Sequence, residues 1–376
     1  MIKRILEKQI IKRLIKTKKS VILYGPRQVG KTTLAKSIIE KIGLKTLFIN
    51  ADDKIYNDVL SSQDLNKIDG LISGYQLIFI DEAQKIENIG INMKLIIDSH
   101  PEIRILATGS SSFDLSNKVS EPLTGRVWTY TLFPISCEEL IDESSEFECN
   151  RDLENHLLYG SYPELFRYKN LKDKVAYLKQ LTNSYLYKDI LEYADIKYAD
   201  KINKLLRLIA LQIGSEVSLS ELGNSLDISK ETVVRYLDLL EKSFVIYTLR
   251  GFSRNLRKEV TKMNKIYFID LGVRNSIIEN FNSLELRNDC GALWENFLII
   301  ERMKKNQYHQ NFVSPYFWRL NTGAEMDYIE DGDGKLIAYE FKFGKKNSKS
   351  KESWLKNYPG STFKLINQKN YLDFLK

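Results

Sequence analysis

The sequence predicts an α/β fold built on a parallel sheet at its N-terminal end, and two observations carry that expectation. Three short apolar runs, Val21–Tyr24, Gln76–Ile80 and Ile103–Ala107, have the length and near-unbroken hydrophobicity of strands buried on both faces. The first leads through a glycine-rich turn into a helical pattern with Leu34, Ile38 and Ile39 on one side, and the other two end in carboxylate or hydroxyl residues. At 376 residues the chain exceeds one ordinary core, so two or three domains are expected.

Composition narrows the function classes. With 43% hydrophobic and 28% charged residues the chain reads as soluble and globular. No apolar run approaches the ~20 residues of a membrane span, so no membrane partner is expected. The basic, amphipathic segment Met1–Lys18 reads as a first helix rather than a secretory signal. Cys137, Cys149 and Cys290 are scattered without C-x-x-C spacing, which argues against a disulfide framework or zinc site and for a reducing cytoplasm. Three histidines, His100, His156 and His309, make a histidine metal centre a poor reading. The net charge of +7 permits a nucleic-acid partner without establishing one.

The run Gly25-Pro26-Arg27-Gln28-Val29-Gly30-Lys31-Thr32 fits G-x-x-x-x-G-K-[ST] at every position, between a strand and a helix. Its glycines let backbone N–H groups converge on phosphate oxygens. Lys31 brings a cation to the β- and γ-phosphates, and Thr32 offers a hydroxyl to Mg²⁺. ATP and Mg²⁺ are therefore the expected cofactors. Asp81 and Glu82 follow the second apolar run, where Asp81 would hold Mg²⁺ and Glu82 would orient and deprotonate water. Thr108 and Ser110, after the third, would sense the γ-phosphate or hold the water; a hydroxyl-rich turn is the alternative. Arg126, after Gly125, reads either as an arginine finger acting on a neighbouring subunit's ATP or as a plain surface arginine.

Gly25 to Thr33, Ile80-Asp81-Glu82-Ala83-Gln84-Lys85, Thr108-Gly109-Ser110-Ser111 and Leu123-Thr124-Gly125-Arg126 together resemble the AAA-type ATPases of the AAA_14 family. The later chain resembles that family's usual C-terminal partner, a domain of unknown function called DUF4143. The resemblance runs nearly end to end. It implies a AAA+ core, a winged helix and a restriction-endonuclease-like α/β domain. The chain turns acidic and polar between Glu138 and Asn155, and helical patterns follow, broken at Gly160-Ser161-Tyr162-Pro163. The expected division is a AAA+ core at 1–145, a helical lid at 146–205, a winged helix at 206–280 and a nuclease-like domain at 281–376.

Ser218-Leu219-Ser220-Glu221 has the form of a capping box. A short helix to Leu226 follows, then a turn, then a second helix from Lys230 to about Lys242 with Val233, Val234, Leu237 and Leu240 as its apolar face. Two strands, Val245–Leu249 and Lys265–Ile269, flank a basic loop. This order describes a winged helix-turn-helix. Lys230, Thr232 and Arg235 would face a DNA major groove, and Arg254, Arg257 and Lys258 would contact phosphates. A role in packing or protein contact is the alternative.

In the last segment an Asp-Gly-Asp-Gly turn at Asp331–Gly334 joins two strand patterns. Glu340 and Lys342 lie two apart and share a face, with Asp327 across the hairpin. Asp327 and Glu340, helped by Glu295, would bind Mg²⁺, and Lys342 would orient or activate a water. The arrangement resembles the PD-(D/E)xK nuclease superfamily. An ordinary charge pair, or a nuclease fold retired to binding, is the alternative. The expected function is ATP hydrolysis coupled to DNA binding and processing, in a cytoplasmic homo-oligomer that forms a ring or partial ring. Its rivals are a regulatory NTPase switch with a protein-binding C-terminal half, and a nuclease licensed by ATP.

Overall fold

The computed structural model describes residues 2–110, 123–183, 199–254, 264–344, 348 and 350–376, and divides into two compact units. The first comprises Met1–Ile135 with Lys242–Phe244; the second comprises Ser136–Glu241 and Val245–Lys376.

In the first unit, helices α1 (Leu6–Lys12), α2 (Lys31–Ile42), α3 (Lys54–Leu60), α4 (Leu65–Ile72) and α5 (Ile89–Ser99) accompany five strands. These are β1 (Ser20–Tyr24), β2 (Thr46–Asn50), β3 (Leu77–Asp81), β4 (Arg104–Gly109) and β5 (Val127–Thr131). Their order is β2-β3-β4-β1-β5, and every pairing is parallel. The apolar runs form central strands because both faces are covered: all five residues of β1 are buried, and so are Leu77 to Ile80. Ile22, Ile78, Ile80 and Ile105 pack with Ile68, Ile72, Met93 and Ile96 from the helices. Parallel pairing puts every C-terminal strand end at one edge of the sheet. The order places β4 between β3 and β1, so the segments after three adjacent strands meet there.

The N-terminal helix forms as expected and turns Leu6 and Ile10 inward. Glu7 fastens α1 to α2, accepting from Ser37 Oγ at 2.6 Å and pairing with Lys41 Nζ at 2.6 Å.

The second unit opens with α6 (Cys137–Glu143), α7 (Glu146–Arg151), α8 (Leu153–Tyr159), α9 (Leu171–Leu181) and α10 (Ala199–Leu211). Strand β6 (Glu216–Val217), α11 (Leu219–Leu226), α12 (Lys230–Lys242), β7 (Ile246–Gly251) and β8 (Asn264–Phe268) follow. Next come α13 (Leu271–Ile277) and α14 (Cys290–Tyr308), then β9 (Ser314–Arg319), β10 (Glu325–Gly332) and β11 (Lys335–Phe341). The chain ends with α15 (Lys351–Asn357), β12 (Thr362–Ile366) and α16 (Tyr371–Leu375). The strands form one seven-stranded mixed sheet, β12-β11-β10-β9-β7-β8-β6. The β7–β8 hairpin joins the rest through a short parallel pairing of β7 with β9, Arg250 opposite Tyr316 and Gly251 opposite Phe317. At the β10–β11 turn Asp333 and Gly334 have φ of 52° and 70°. Two consecutive positive φ values make the tight primed turn that matches strand twist, and this fixes Tyr328 opposite Tyr339.

The three cysteines are free thiols. Among the described residues no helix is long and apolar enough to cross a membrane.

Candidate functional site

The phosphate-binding loop leaves β1 in a path that only its glycines allow. Gly25 has φ 149°, and a Cβ there would sit 2.1 Å from the Leu132 carbonyl oxygen. Gly30, φ 91°, caps the N-terminus of α2. Pro26 and Val29 are buried, Arg27 is half-buried, and Gln28, φ 62°, is exposed. The Lys31 side chain is buried and folds back over the loop, its Nζ donating to the carbonyls of Gly25 (3.0 Å) and Pro26 (2.9 Å). Behind the loop, buried Arg4 donates to the Val29 carbonyl at 2.9 Å and the Phe133 carbonyl at 2.6 Å.

The neighbouring strand ends complete the site. Thr32 Oγ1 donates to both Asp81 carboxylate oxygens, at 2.9 and 3.0 Å. Thr108, fully buried on β4, lies 2.5 Å from Asp81 Oδ1 and accepts the Glu82 backbone N–H at 3.1 Å. Glu82 adopts a left-handed backbone, φ 55°, a strained conformation of the kind that gathers at functional sites. Gln84, buried in the following turn, donates through Nε2 to Glu82 Oε2 (2.5 Å) and Ser110 Oγ (2.9 Å). Thr33, beside Thr32, is exposed. Among the described residues, hydroxyl and carboxylate oxygens converge here, a set that suits Mg²⁺. Arg126 is paired on the surface with Asp98, Nε to Oδ1 at 2.7 Å and Nη2 to Oδ2 at 3.0 Å.

The residues expected to contact DNA belong to the second unit. Lys230 and Arg235 are exposed on α12, while Thr232 is half-buried, its Oγ1 3.1 Å from Ser229 Oγ at the helix start. The apolar face of α12 is Val233, Tyr236, Leu239 and Leu240, not the expected set. A spacing of three from Val233 to Tyr236 and a further four to Leu240 bring these residues inward and turn Val234 outward. Arg254 is exposed, its guanidinium 5.4 Å from the Tyr358 ring centre. Arg257 and Lys258 lie outside the described residues, as does the basic loop that holds them.

The hairpin register carries Asp327, Glu340 and Lys342 to one place. Asp327 Oδ2 accepts the Phe341 backbone N–H at 2.6 Å, and Lys342 Nζ stands 2.7 Å from Glu340 Oε1. Ser348 Oγ donates to Glu340 Oε2. Burial and then the nearby charge of Glu295 push Asp327 up to about 8. Glu295, on α14, binds buried Lys265 (3.0 Å) and accepts from the Tyr267 hydroxyl (2.6 Å). Burial opposes the Lys265 charge, but Glu295, Asp327 and Glu325 outweigh it and hold its pKa above the usual lysine value. Among the described residues no group of three or more His, Cys, Asp or Glu side chains is disposed to hold a metal ion. Two lysines, Lys265 and Lys342, stand among the carboxylates Glu295, Glu325 and Glu340.

Gln84, Arg4 and Lys265 escaped the reading of the sequence. Gln84 lies within the run that carries the family resemblance, which was the one available signal. Arg4 and Lys265 act on partners far along the chain, and no local pattern marks them.

Residues 17–141 match the family model of an AAA domain, AAA_14. This segment is similar to AAA domains. The remainder of the chain matches two domains of unknown function, DUF8612 over residues 150–284 and DUF4143 over 290–368. An uncharacterized protein of Mycobacterium tuberculosis is 29% identical over 329 residues, spanning 86% of this chain and 70% of its own. Another, of Methanocaldococcus jannaschii, is 26% identical over 377 residues, spanning 94% and 81%. Among solved structures, a Walker-type ATPase of Pyrococcus abyssi superposes on this chain with a TM-score of 0.51 at 16% identity, covering 74% of this chain and 96% of that one. That likeness is one of fold.

Proposed function

We propose that this chain binds ATP with Mg²⁺, hydrolyses it, and couples its nucleotide state to DNA held by the second unit. The observation that carries the reading is the convergence of Lys31, Thr32, Asp81 and Thr108 at three adjacent strand ends. Lys31 would exchange the Gly25 and Pro26 carbonyls for β- and γ-phosphate oxygens. Thr32 and Asp81 would hold Mg²⁺, which when bound neutralises charge developing on the phosphates. Glu82 would take the proton of the attacking water. Gln84 would fix the Glu82 carboxylate and tie it to Ser110, next to the γ-phosphate position. Arg126 would serve a neighbouring copy in a homo-oligomer by leaving Asp98 for phosphate.

The DNA side rests on the α11–α12 pair, on exposed Lys230, Arg235 and Arg254, on Thr232 at the start of α12, and on the net charge of +7. A second reading, a nucleotide-set switch whose second unit binds a protein, is favoured by the lysines that fill the C-terminal carboxylate cluster. The test is the ATP hydrolysis rate with and without single-stranded, duplex and branched DNA, with Lys31→Ala as control. Stimulation by one DNA form is expected. A rate indifferent to every DNA, with no DNA binding, overturns the coupled reading and leaves the switch.

A further inference from the structure

The carboxylate cluster of the second unit carries its own cation. Lys265 reaches into it from β8 with its side chain 3% exposed, its Nζ 3.0 Å from Glu295 Oε1 and 2.5 Å from Glu325 Oε1. Tyr267, two residues on and therefore on the same face of β8, donates its hydroxyl to the same Glu295 oxygen at 2.6 Å. The Phe317 ring centre lies 5.4 Å from the ammonium, so an aromatic wall flanks the charge as well. The other carboxylates are also engaged: Asp327 by the Phe341 N–H, and Glu340 by Lys342 Nζ and Ser348 Oγ. A divalent ion would need several of these oxygens at about 2.0–2.6 Å, beside a buried ammonium of like charge.

We infer that Lys265 takes the place of a divalent cation, making the cluster a closed ion-pair node that binds no metal while Lys265 is seated. The node ties the hairpin strand β8 to α14 and β10. It leaves the second unit without the metal that phosphodiester cleavage at Asp327, Glu340 and Lys342 would use. The inference stands whether or not ATP hydrolysis responds to DNA.

The test is calorimetric titration of Mn²⁺ into the full chain carrying Asp81→Asn, which removes the carboxylate of the P-loop site. With Lys265 present, no Mn²⁺ binding that depends on Asp327 is expected. Adding Lys265→Met should tighten Mn²⁺ binding at least tenfold, and further adding Asp327→Asn should abolish the gain. Lys265→Arg, which keeps a cation, should stay silent. Mn²⁺ binding lost on Asp327→Asn while Lys265 is intact overturns the inference, and that arm does not require the Lys265→Met variant to fold. A folded Lys265→Met chain that binds Mn²⁺ no tighter than its parent overturns it equally.

Discussion

Replacing Gly25 by alanine tests how the nucleotide loop is built. At φ 149° an L side chain is strained wherever it is placed, at a cost of roughly 1–3 kcal/mol. Space adds to this. The new Cβ would lie 2.1 Å from the Leu132 carbonyl oxygen and 3.1 Å from its carbon. The obstacle is backbone, held in turn by the Leu132 N–H on the Tyr24 carbonyl at 2.8 Å. The loop must therefore shift by on the order of 1 Å to restore ordinary contact, which misaims the N–H groups that receive phosphate. Gly30→Ala is the control: its φ of 91° carries the conformational cost, but among the described residues nothing beyond its chain neighbours and local helix backbone lies within 4 Å of its Cβ. Gly25→Ala should weaken ATP binding at least ~100-fold, about 2.7 kcal/mol, and Gly30→Ala ~10-fold or less. Titration with a fluorescent ATP analogue measures both, and urea unfolding reports the stability of each fold. Equal losses in the two variants would refute the steric argument, and unimpaired binding by Gly25→Ala would refute the placement of phosphate in this loop.

Gln84→Ala should lower kcat for ATP about 100-fold while leaving KM within about twofold, because the Gln84 amide holds Glu82 and Ser110; steady-state ATPase kinetics check it, and a change in KM alone contradicts it. His156 gives the fold a pH dependence. Burial, opposed by the Asp152 charge and reinforced by Lys304, pushes His156 down to about 4. The unfolded chain, with histidine near ~6.5, then binds more protons between those values, so stability falls as pH drops through that window and is fully present above it. The loss should be about 2 kcal/mol from pH 7 to pH 5, measured by urea unfolding, and His156→Phe should flatten that slope.

The AAA site was largely legible because its chemistry is written in contiguous runs. A strand that ends in Asp81-Glu82 and a loop that ends in Lys31-Thr32 each declare a function locally. What no run declares is that β4 lies between them, and this adjacency gives Thr108 its hold on Asp81 and Gln84 its reach to Ser110. The hairpin of the last segment was legible for a similar reason, since Asp333-Gly334 fixes which residues of β10 and β11 oppose each other. Lys265 was not, because a lysine at the start of an apolar strand looks like a solvated strand end until its carboxylate partners, 30 and 60 positions along the chain, are brought against it. The apolar face of α12 was misjudged at Val234 because the pattern Val233-Val234-Leu237 fits a helical stripe almost as well as the one that packs.

Arg4 bears on how a fragment of this protein should be cut. Family similarity begins at residue 17, and an excised piece designed on that boundary would contain the whole loop from Gly25 to Thr33. It would nonetheless lose the guanidinium that grips the Val29 and Phe133 carbonyls from behind, along with the α1 brace on Ser37 and Lys41. The segment that matches the AAA model is thus smaller than the piece that holds the loop's shape, and an excised fragment meant to bind nucleotide should start before Arg4.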